Sequence, residues 1–183
     1  MKRLLLLLIA SILSLPSFAQ GDDFVFVGTD VHVIRTGFSD RHPLEVSLCA
    51  ASNDGGRTWS YSLLVNVVEP ISRAIPKGGL MLLRSATGEV IELRNEFDEL
   101  ASRDFTGSLV PGTTILTYHN KGSYAVTLDQ LKLLAYGVQK VRIAFLGEYI
   151  ETEYKKDKWG EPMVLMLEEI AQKTVVNNIR EGF

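Results

Sequence analysis

Two neighbouring glutamates are the residues of this sequence whose spacing best suits acid–base chemistry. Glu151 and Glu153 lie two positions apart in a run of β-forming residues, so their side chains share one face of the predicted strand. Paired carboxylates can act together in glycoside hydrolysis, where one donates a proton and the other serves as base or nucleophile. The adjacent Lys155 and Lys156 equally suit a solvent-exposed face with ion pairs. The sequence therefore assigns no catalytic residue, and the pair remains a candidate for a hydrolase.

The histidines and the single cysteine do not form a pattern typical of a reactive site. His32, His42 and His119 lack the short spacings of metal sites, so we expect neither a metal ion nor a cofactor. The glycine patterns of nucleophile elbows, phosphate loops and dinucleotide sites do not occur either. Cys49 cannot form an internal disulfide, and its strand-like surroundings favour a buried, unreactive thiol over a nucleophile.

A tryptophan in a basic loop is a candidate contact for a ligand. Trp159 follows Lys155, Lys156 and Lys158, and an exposed indole at that position could contact an anionic ligand or a protein partner. The alternative is that the indole packs beneath the helix predicted to follow it. The exposure of Trp159 distinguishes the two interpretations.

The first 19 residues have the three parts of a secretory signal peptide. Lys2 and Arg3 precede an apolar run at 4–15, and a small-residue cleavage signal ends at Ala19. The apolar run is shorter than the roughly 20 residues needed to span a membrane. We therefore expect residues 1–19 to be removed and residues 20–183 to form a single exported β-rich domain, periplasmic or extracellular, without a membrane span.

The charge balance argues against one class of partner. The sequence has 19 basic and 22 acidic residues, and removal of Lys2 and Arg3 leaves 17 − 22 = −5. Nucleic-acid-binding domains usually show a basic excess, so we expect no nucleic-acid partner. The partner that remains is an unknown protein or polymer, bound by a monomeric domain.

The most strongly specified turn separates two β-forming runs between Leu44 and Val68. Its Asp-Gly-Gly core predicts a hairpin, because glycine adopts positive φ without steric cost and aspartate bonds backbone amides ahead of it. The turn resembles the Asp-box of sialidase-type propellers and of several unrelated secreted folds, with matches at Ser52, Asp54, Gly56, Thr58 and Trp59. That resemblance implies a structural turn, tied by the aspartate above a packed tryptophan. A propeller itself is not expected, because it needs at least four similar blades.

Alternation of apolar residues and turn signals predicts the remaining strands. Two strands with a turn between them are expected at 24–27 and 31–34, and hairpins at 80–94, 113–126 and 138–154. The longest irregular segment is 95–112, with a helical turn at 96–102. The hairpin at 113–126 is expected to turn at 119–122.

Two helices are predicted. Thr127 and Gln130 have the spacing of a capping box, and Gly137 suits the end of that short helix. A long C-terminal helix begins near Pro162, carries an apolar stripe from Met163 to Thr174, and frays after residue 176.

These elements predict an α+β fold, in which antiparallel hairpins form a sandwich or partly closed barrel with one short helix and one long C-terminal helix. The whole chain is similar to small exported domains of Gram-negative bacteria, a resemblance that implies no activity. The function predicted is a non-catalytic exported binding or interaction domain. The alternative is a small hydrolase acting on an envelope or host polymer such as a glycan.

Overall fold

Ten strands and two helices make up the described part of the chain. The computed structural model describes residues 23–35, 43–98, 102–107 and 114–180, with the backbone alone at 102–107, 114–116 and 176–180. The strands are β1 (Val25–Gly28), β2 (His32–Ile34), β3 (Leu44–Ser52), β4 (Ser60–Glu69), β5 (Leu80–Ser85), β6 (Val90–Arg94), β7 (Ser102–Gly107), β8 (Thr114–Val126), β9 (Val138–Phe145) and β10 (Glu148–Glu153). The helices are α1 (Leu128–Ala135) and α2 (Gly160–Arg180).

The strands form two antiparallel sheets that are not closed into a barrel. The larger sheet has the order β1-β3-β4-β8-β7, with β2 also paired to β3, and the smaller one has the order β10-β9-β5-β6. This arrangement is a sandwich, which confirms the predicted α+β class and decides between the two architectures that the sequence left open.

The core lies between the two sheets because central strands of both sheets are apolar on the side that faces it. In β4, Leu63, Val65 and Val67 are buried, and in the smaller sheet the same holds for alternate residues such as Leu83 and Ile143. Met163, Met166 and Ile170 from α2 belong to the same cluster of buried side chains. The long helix therefore buries its apolar stripe in the core, as its spacing predicts.

The short helix begins and ends where its sequence predicts. The hydroxyl of Thr127 accepts a hydrogen bond from the Gln130 amide at 3.2 Å, and the Gln130 side chain accepts one from the Thr127 amide at 2.9 Å. Gly137 follows the last turn with φ 109°, a value that favours glycine. The capping box and the glycine stop are confirmed.

Asp157 holds the start of the long helix against the end of the short one. Its carboxylate accepts hydrogen bonds from the amides of Trp159 at 2.9 Å and Gly160 at 3.0 Å, and from the Val138 amide at 3.1 Å. A Cβ atom on Gly137 would lie 2.7 Å from the Asp157 Cγ. One acidic side chain thus caps α2 and fixes it to the beginning of β9.

The first two strands do not form a hairpin. Both strands pair with β3: Gly28 is opposite Cys49, and His32 is opposite Val46. Between these two pairs the chain of β1 and β2 advances 32 − 28 = 4 residues, whereas β3 advances 49 − 46 = 3. The one extra residue is a bulge, so β1 and β2 form a single edge strand interrupted by it. The hydroxyl of Thr29 fills the gap by accepting from the Leu48 amide at 3.0 Å.

The hairpin predicted at 113–126 is wrong, because His119, Asn120, Lys121 and Gly122 lie in the middle of the 13-residue strand β8. This strand pairs with β4 on one side and β7 on the other, so tertiary pairing overrides the local turn signal.

The segment predicted to be irregular also contains a strand. Ser102 begins β7, and residues 96–98 are not helical, while residues 99–101 lie outside the described part. The long helix continues to Arg180, so the predicted fraying is absent at 177–180, and residues 181–183 lie outside the described part.

Gly122 serves packing rather than a turn. It faces the core opposite Val65, and a Cβ atom there would lie 2.8 Å from the Cε2 of Tyr124, whose side chain is fully buried. A glycine in mid-strand often marks such a close approach.

We expect Gly122→Ala to lower the free energy of unfolding by about 1–3 kcal/mol, because the buried Tyr124 ring cannot move away without disturbing the core. Urea denaturation measures this effect. Gly28→Ala is the matched control, since the nearest atom to a Cβ on this strand glycine is 3.5 Å away, an ordinary contact. Equal stability of the two variants would contradict the packing role of Gly122.

Candidate functional site

The turn between β3 and β4 is held by its own side chains. The Asp54 carboxylate accepts hydrogen bonds from the Thr58 amide at 2.9 Å and from the Thr58 hydroxyl at 2.7 Å. Ser52 donates its hydroxyl to Asp54 at 2.7 Å and accepts from the Gly56 amide at 2.8 Å. Trp59 is half-buried and packs against the core. The polar side chains of Ser52, Asp54 and Thr58 are thus all used within the turn.

The same contacts determine the charge of Asp54. The Thr58 hydroxyl, then the Thr58 amide and the Ser52 hydroxyl, hold the pKa of the Asp54 carboxyl well below its usual range. Asp54 stays ionised near neutral pH, so its role is that of a hydrogen-bond acceptor and not of a general acid.

Cys49 is buried in β3, with 6% of its surface exposed. Burial raises the pKa of its thiol to about 12, despite the opposing effect of the positive charge of Lys173. Because the thiolate is the reactive form, Cys49 is a poor nucleophile in this environment.

Trp159 is also fully buried, with 0% of its surface exposed. The indole belongs to the core cluster that includes Met163 and Met166 of the long helix. Trp159 therefore presents no surface to a ligand in solvent, and the structure supports the alternative in which it packs beneath the helix.

The carboxylate pair on β10 is exposed, and Glu151 is engaged in ion pairs. Glu151 and Glu153 share the solvent face, as their spacing predicts. Glu151 lies 2.6 Å from the ammonium of Lys140 and accepts from Nε of Arg142 at 2.8 Å. These hydrogen bonds from Lys140 and Arg142 lower the pKa of Glu151. A glycosidase acid needs the opposite shift, so Glu151 is unsuited to that role.

Histidine and acidic residues do not gather into a metal site within the part of the chain that the structure describes. His32 lies in β2 and His119 in β8, while His42 lies outside the described residues.

One histidine nevertheless belongs to a cluster that the sequence did not predict. The side-chain amide of Asn66 lies 2.6 Å from both the Nδ1 of His119 and the carboxylate of Glu45. Strand register accounts for this, because Glu45 is opposite Asn66 and Val68 is opposite His119. The nearby His119, whose Nδ1 lies 3.7 Å from the Glu45 carboxylate, is the main cause that lowers the pKa of Glu45. We call these three residues the His119 cluster.

A second unpredicted cluster joins the two sheets at the end of β4. The side chain of Glu69 is fully buried, accepts from the Asn120 amide at 2.7 Å and lies 3.3 Å from Nε of Arg73. The same Nε atom lies 3.4 Å from the carboxylate of Glu148, and the Arg73 guanidinium stacks 5.4 Å from the centre of the Phe145 ring. Because these residues come from both sheets, only the fold brings them together.

The outer side of the smaller sheet carries charged side chains that lie opposite one another on neighbouring strands. We call this surface the charged face and define it by Arg84, Glu92, Arg94, Lys140, Arg142, Tyr149, Glu151 and Glu153. Across the strands, Glu151 is opposite Arg142, and Lys140 is opposite both Glu153 and Arg84. The Arg142 guanidinium also stacks 4.6 Å from the centre of the Tyr149 ring.

Comparisons with protein families, with curated proteins and with solved structures found no match. Among the described residues, no helix combines the length and the apolar character needed to cross a membrane. Function is therefore inferred from the geometry of these surfaces.

We expect Asp54→Ala to lower the melting temperature, because the Thr58 amide and hydroxyl and the Ser52 hydroxyl lose a charged acceptor. The matched control is Asn53→Ala, a change of the exposed neighbour in the same turn. Thermal unfolding followed by circular dichroism measures both variants. If both variants melt like the parent protein, the Asp54 hydrogen bonds do not hold the turn.

The lowered pKa of Glu45 predicts a pH-dependent contribution to stability. A carboxyl group whose pKa is lower in the folded state than its usual 4.5 stabilises the fold at pH values above 4.5. This contribution is lost as the pH falls through the lowered folded-state pKa. Glu45→Gln should therefore cost about 1 kcal/mol at pH 7, after allowance for partial exposure, and progressively less below pH 4.5. Urea denaturation across this pH range measures the difference.

Glu168→Gln is the control for this pH series, since Glu168 is exposed on α2 and forms no hydrogen bond or ion pair with any described residue. A difference between parent and Glu45→Gln that stays constant down to pH 2 would contradict the proposed contribution of Glu45.

Proposed function

We propose that the chain is an exported, non-catalytic binding domain that holds a protein or polymer partner against its charged face. The observation that carries the proposal is the ionic network centred on Glu151. The Glu151 carboxylate on β10 lies 2.6 Å from Lys140 and 2.8 Å from Nε of Arg142, and it orients both of these cations, which lie on the neighbouring strand β9. Charged side chains already ordered on a rigid sheet lose less entropy when they bind.

The aromatic group beside this network adds contact area. Tyr149 is 59% exposed, and Arg142 stacks on its ring while still bonded to Glu151. Tyrosine and arginine are enriched among the residues that dominate binding energy. The network thus provides both charged and apolar contacts on a surface where most side chains are exposed.

The pKa shifts of Cys49 and Glu151, two residues that the sequence offers for catalysis, favour binding over turnover. The thiol of Cys49 has a raised pKa, and the carboxyl of Glu151 has a lowered one. The first shift opposes a nucleophilic role for Cys49, and the second opposes a general-acid role for Glu151. Their contacts suit packing and ion pairing instead.

The alternative is a small hydrolase of an envelope or host polymer, and the His119 cluster is the observation that favours it. When the ring is neutral, an amide donor at Nδ1 places the ring proton on Nε2. A nearby carboxylate and an oriented imidazole are also features of general-base sites. The cluster therefore supplies the residue to change when turnover is tested.

The test compares the parent protein with an Arg142→Ala/Tyr149→Ala variant on arrays of glycans and extracellular proteins. We expect the parent to bind and the variant to bind about tenfold more weakly, because the stacked pair is lost. Arg57→Ala/Tyr136→Ala is the control, since it changes the same residue types at exposed positions elsewhere.

The same samples are assayed for release of sugars, peptides and esters. The proposal expects none. Turnover that His119→Gln abolishes would establish the hydrolase instead, and binding that survives in the Arg142→Ala/Tyr149→Ala variant would place the partner on another surface.

A further inference from the structure

We infer that the partner is an acidic polysaccharide, a sugar polymer that bears carboxylate groups, and that Arg84 binds those groups. This inference rests on the proposed function and names the chemical class of the partner. It starts from an arrangement on the charged face that is unfavourable for the isolated protein.

Arg84 and Lys140 are directly opposite each other on β5 and β9. Facing residues in antiparallel strands have Cβ atoms about 5 Å apart, and like charges at that position destabilise the sheet. The ammonium of Lys140 is drawn to Glu151, at 2.6 Å. Arg84 is exposed and forms no ion pair or hydrogen bond with any residue that the structure describes.

The other two arginines of the charged face have acidic partners. Arg142 is bonded to Glu151, and Arg94 is bonded to Glu92 on its own strand. Arg84 is therefore the guanidinium on this face with its donors available, beside a second cation. A carboxylate bound between Arg84 and Lys140 would relieve their repulsion and accept two parallel hydrogen bonds from Arg84.

The distance between Arg84 and Tyr149 favours a polymer over a small anion. Arg84 is opposite Lys140, Lys140 is opposite Glu153, and Tyr149 lies four residues from Glu153 along β10. Two strand spacings and four residues correspond to roughly 16 Å between the two positions. A chain of several sugars can reach both, with charge at Arg84 and a ring against the exposed Tyr149.

The net charge of the protein requires this binding to be local. The sequence has a formal net charge of −3, or 17 − 22 = −5 without residues 1–19, so the molecule as a whole does not attract a polyanion. A polyanion that binds must recognise a particular group of cations. Reversal of one charge outside the charged face should then have little effect.

The test titrates the full protein with polygalacturonate by calorimetry, with neutral dextran and poly-L-glutamate as comparison polymers. We expect polygalacturonate alone to bind, and Arg84→Glu and Tyr149→Ala each to weaken it about tenfold. Arg57→Glu is the matched control, because it reverses the charge of an exposed arginine in the β3–β4 turn and should change the affinity by less than about twofold. Thermal melting confirms that each variant is folded.

Three results would overturn the inference: no binding of polygalacturonate, equal binding of poly-L-glutamate, or equal losses from Arg84→Glu and Arg57→Glu. If the arrays then show another partner that depends on Arg142 and Tyr149, the binding domain stands and only the acidic polysaccharide is excluded. If no partner depends on Arg142 and Tyr149, both proposals fail.

Discussion

Burial of the Glu69 carboxylate between the sheets is the constraint on which this end of the sandwich depends. An ionised group removed from water costs several kcal/mol unless hydrogen bonds and an opposite charge offset that cost. Asn120 supplies the hydrogen bond and Arg73 the charge. Asn120 also accepts from the Arg73 amide at 2.8 Å and donates to the Ile71 carbonyl at 3.1 Å, so the connection after β4 must fold back over the carboxylate.

That fold-back joins the two sheets. Arg73 reaches Glu148 of the smaller sheet, and the Leu146 amide donates to the Ala74 carbonyl at 3.0 Å. The turn between β9 and β10 is thereby fixed to the end of β4. The charged face begins on β10 immediately after this turn, so the buried cluster helps to position the surface to which we assign binding.

Polar residues consequently serve different purposes on the two sides of the sheets. Those facing inward, Glu69 and Asn120, are buried and bonded to one another. Those facing outward on the smaller sheet are exposed, and their ion pairs contribute little to stability because water screens them. A surface that contributes little to folding can be occupied by groups such as Arg84 and Lys140, two like charges opposite each other on neighbouring strands.

Local sequence determined the turns, caps and faces of this protein. Thr127, Gln130 and Gly137 delimit a helix through contacts within a few residues, and Asp54 and its neighbours do the same for a hairpin. The side chains of Glu151 and Glu153 share one face because of strand geometry alone.

Only the tertiary structure decided the rest. His119 to Gly122 have turn-like residue types, yet pairing with two neighbouring strands keeps them extended. The Glu69 and His119 clusters likewise join residues far apart in sequence. Their contacts depend on strand register, which is set by packing of the whole core and leaves no local signal.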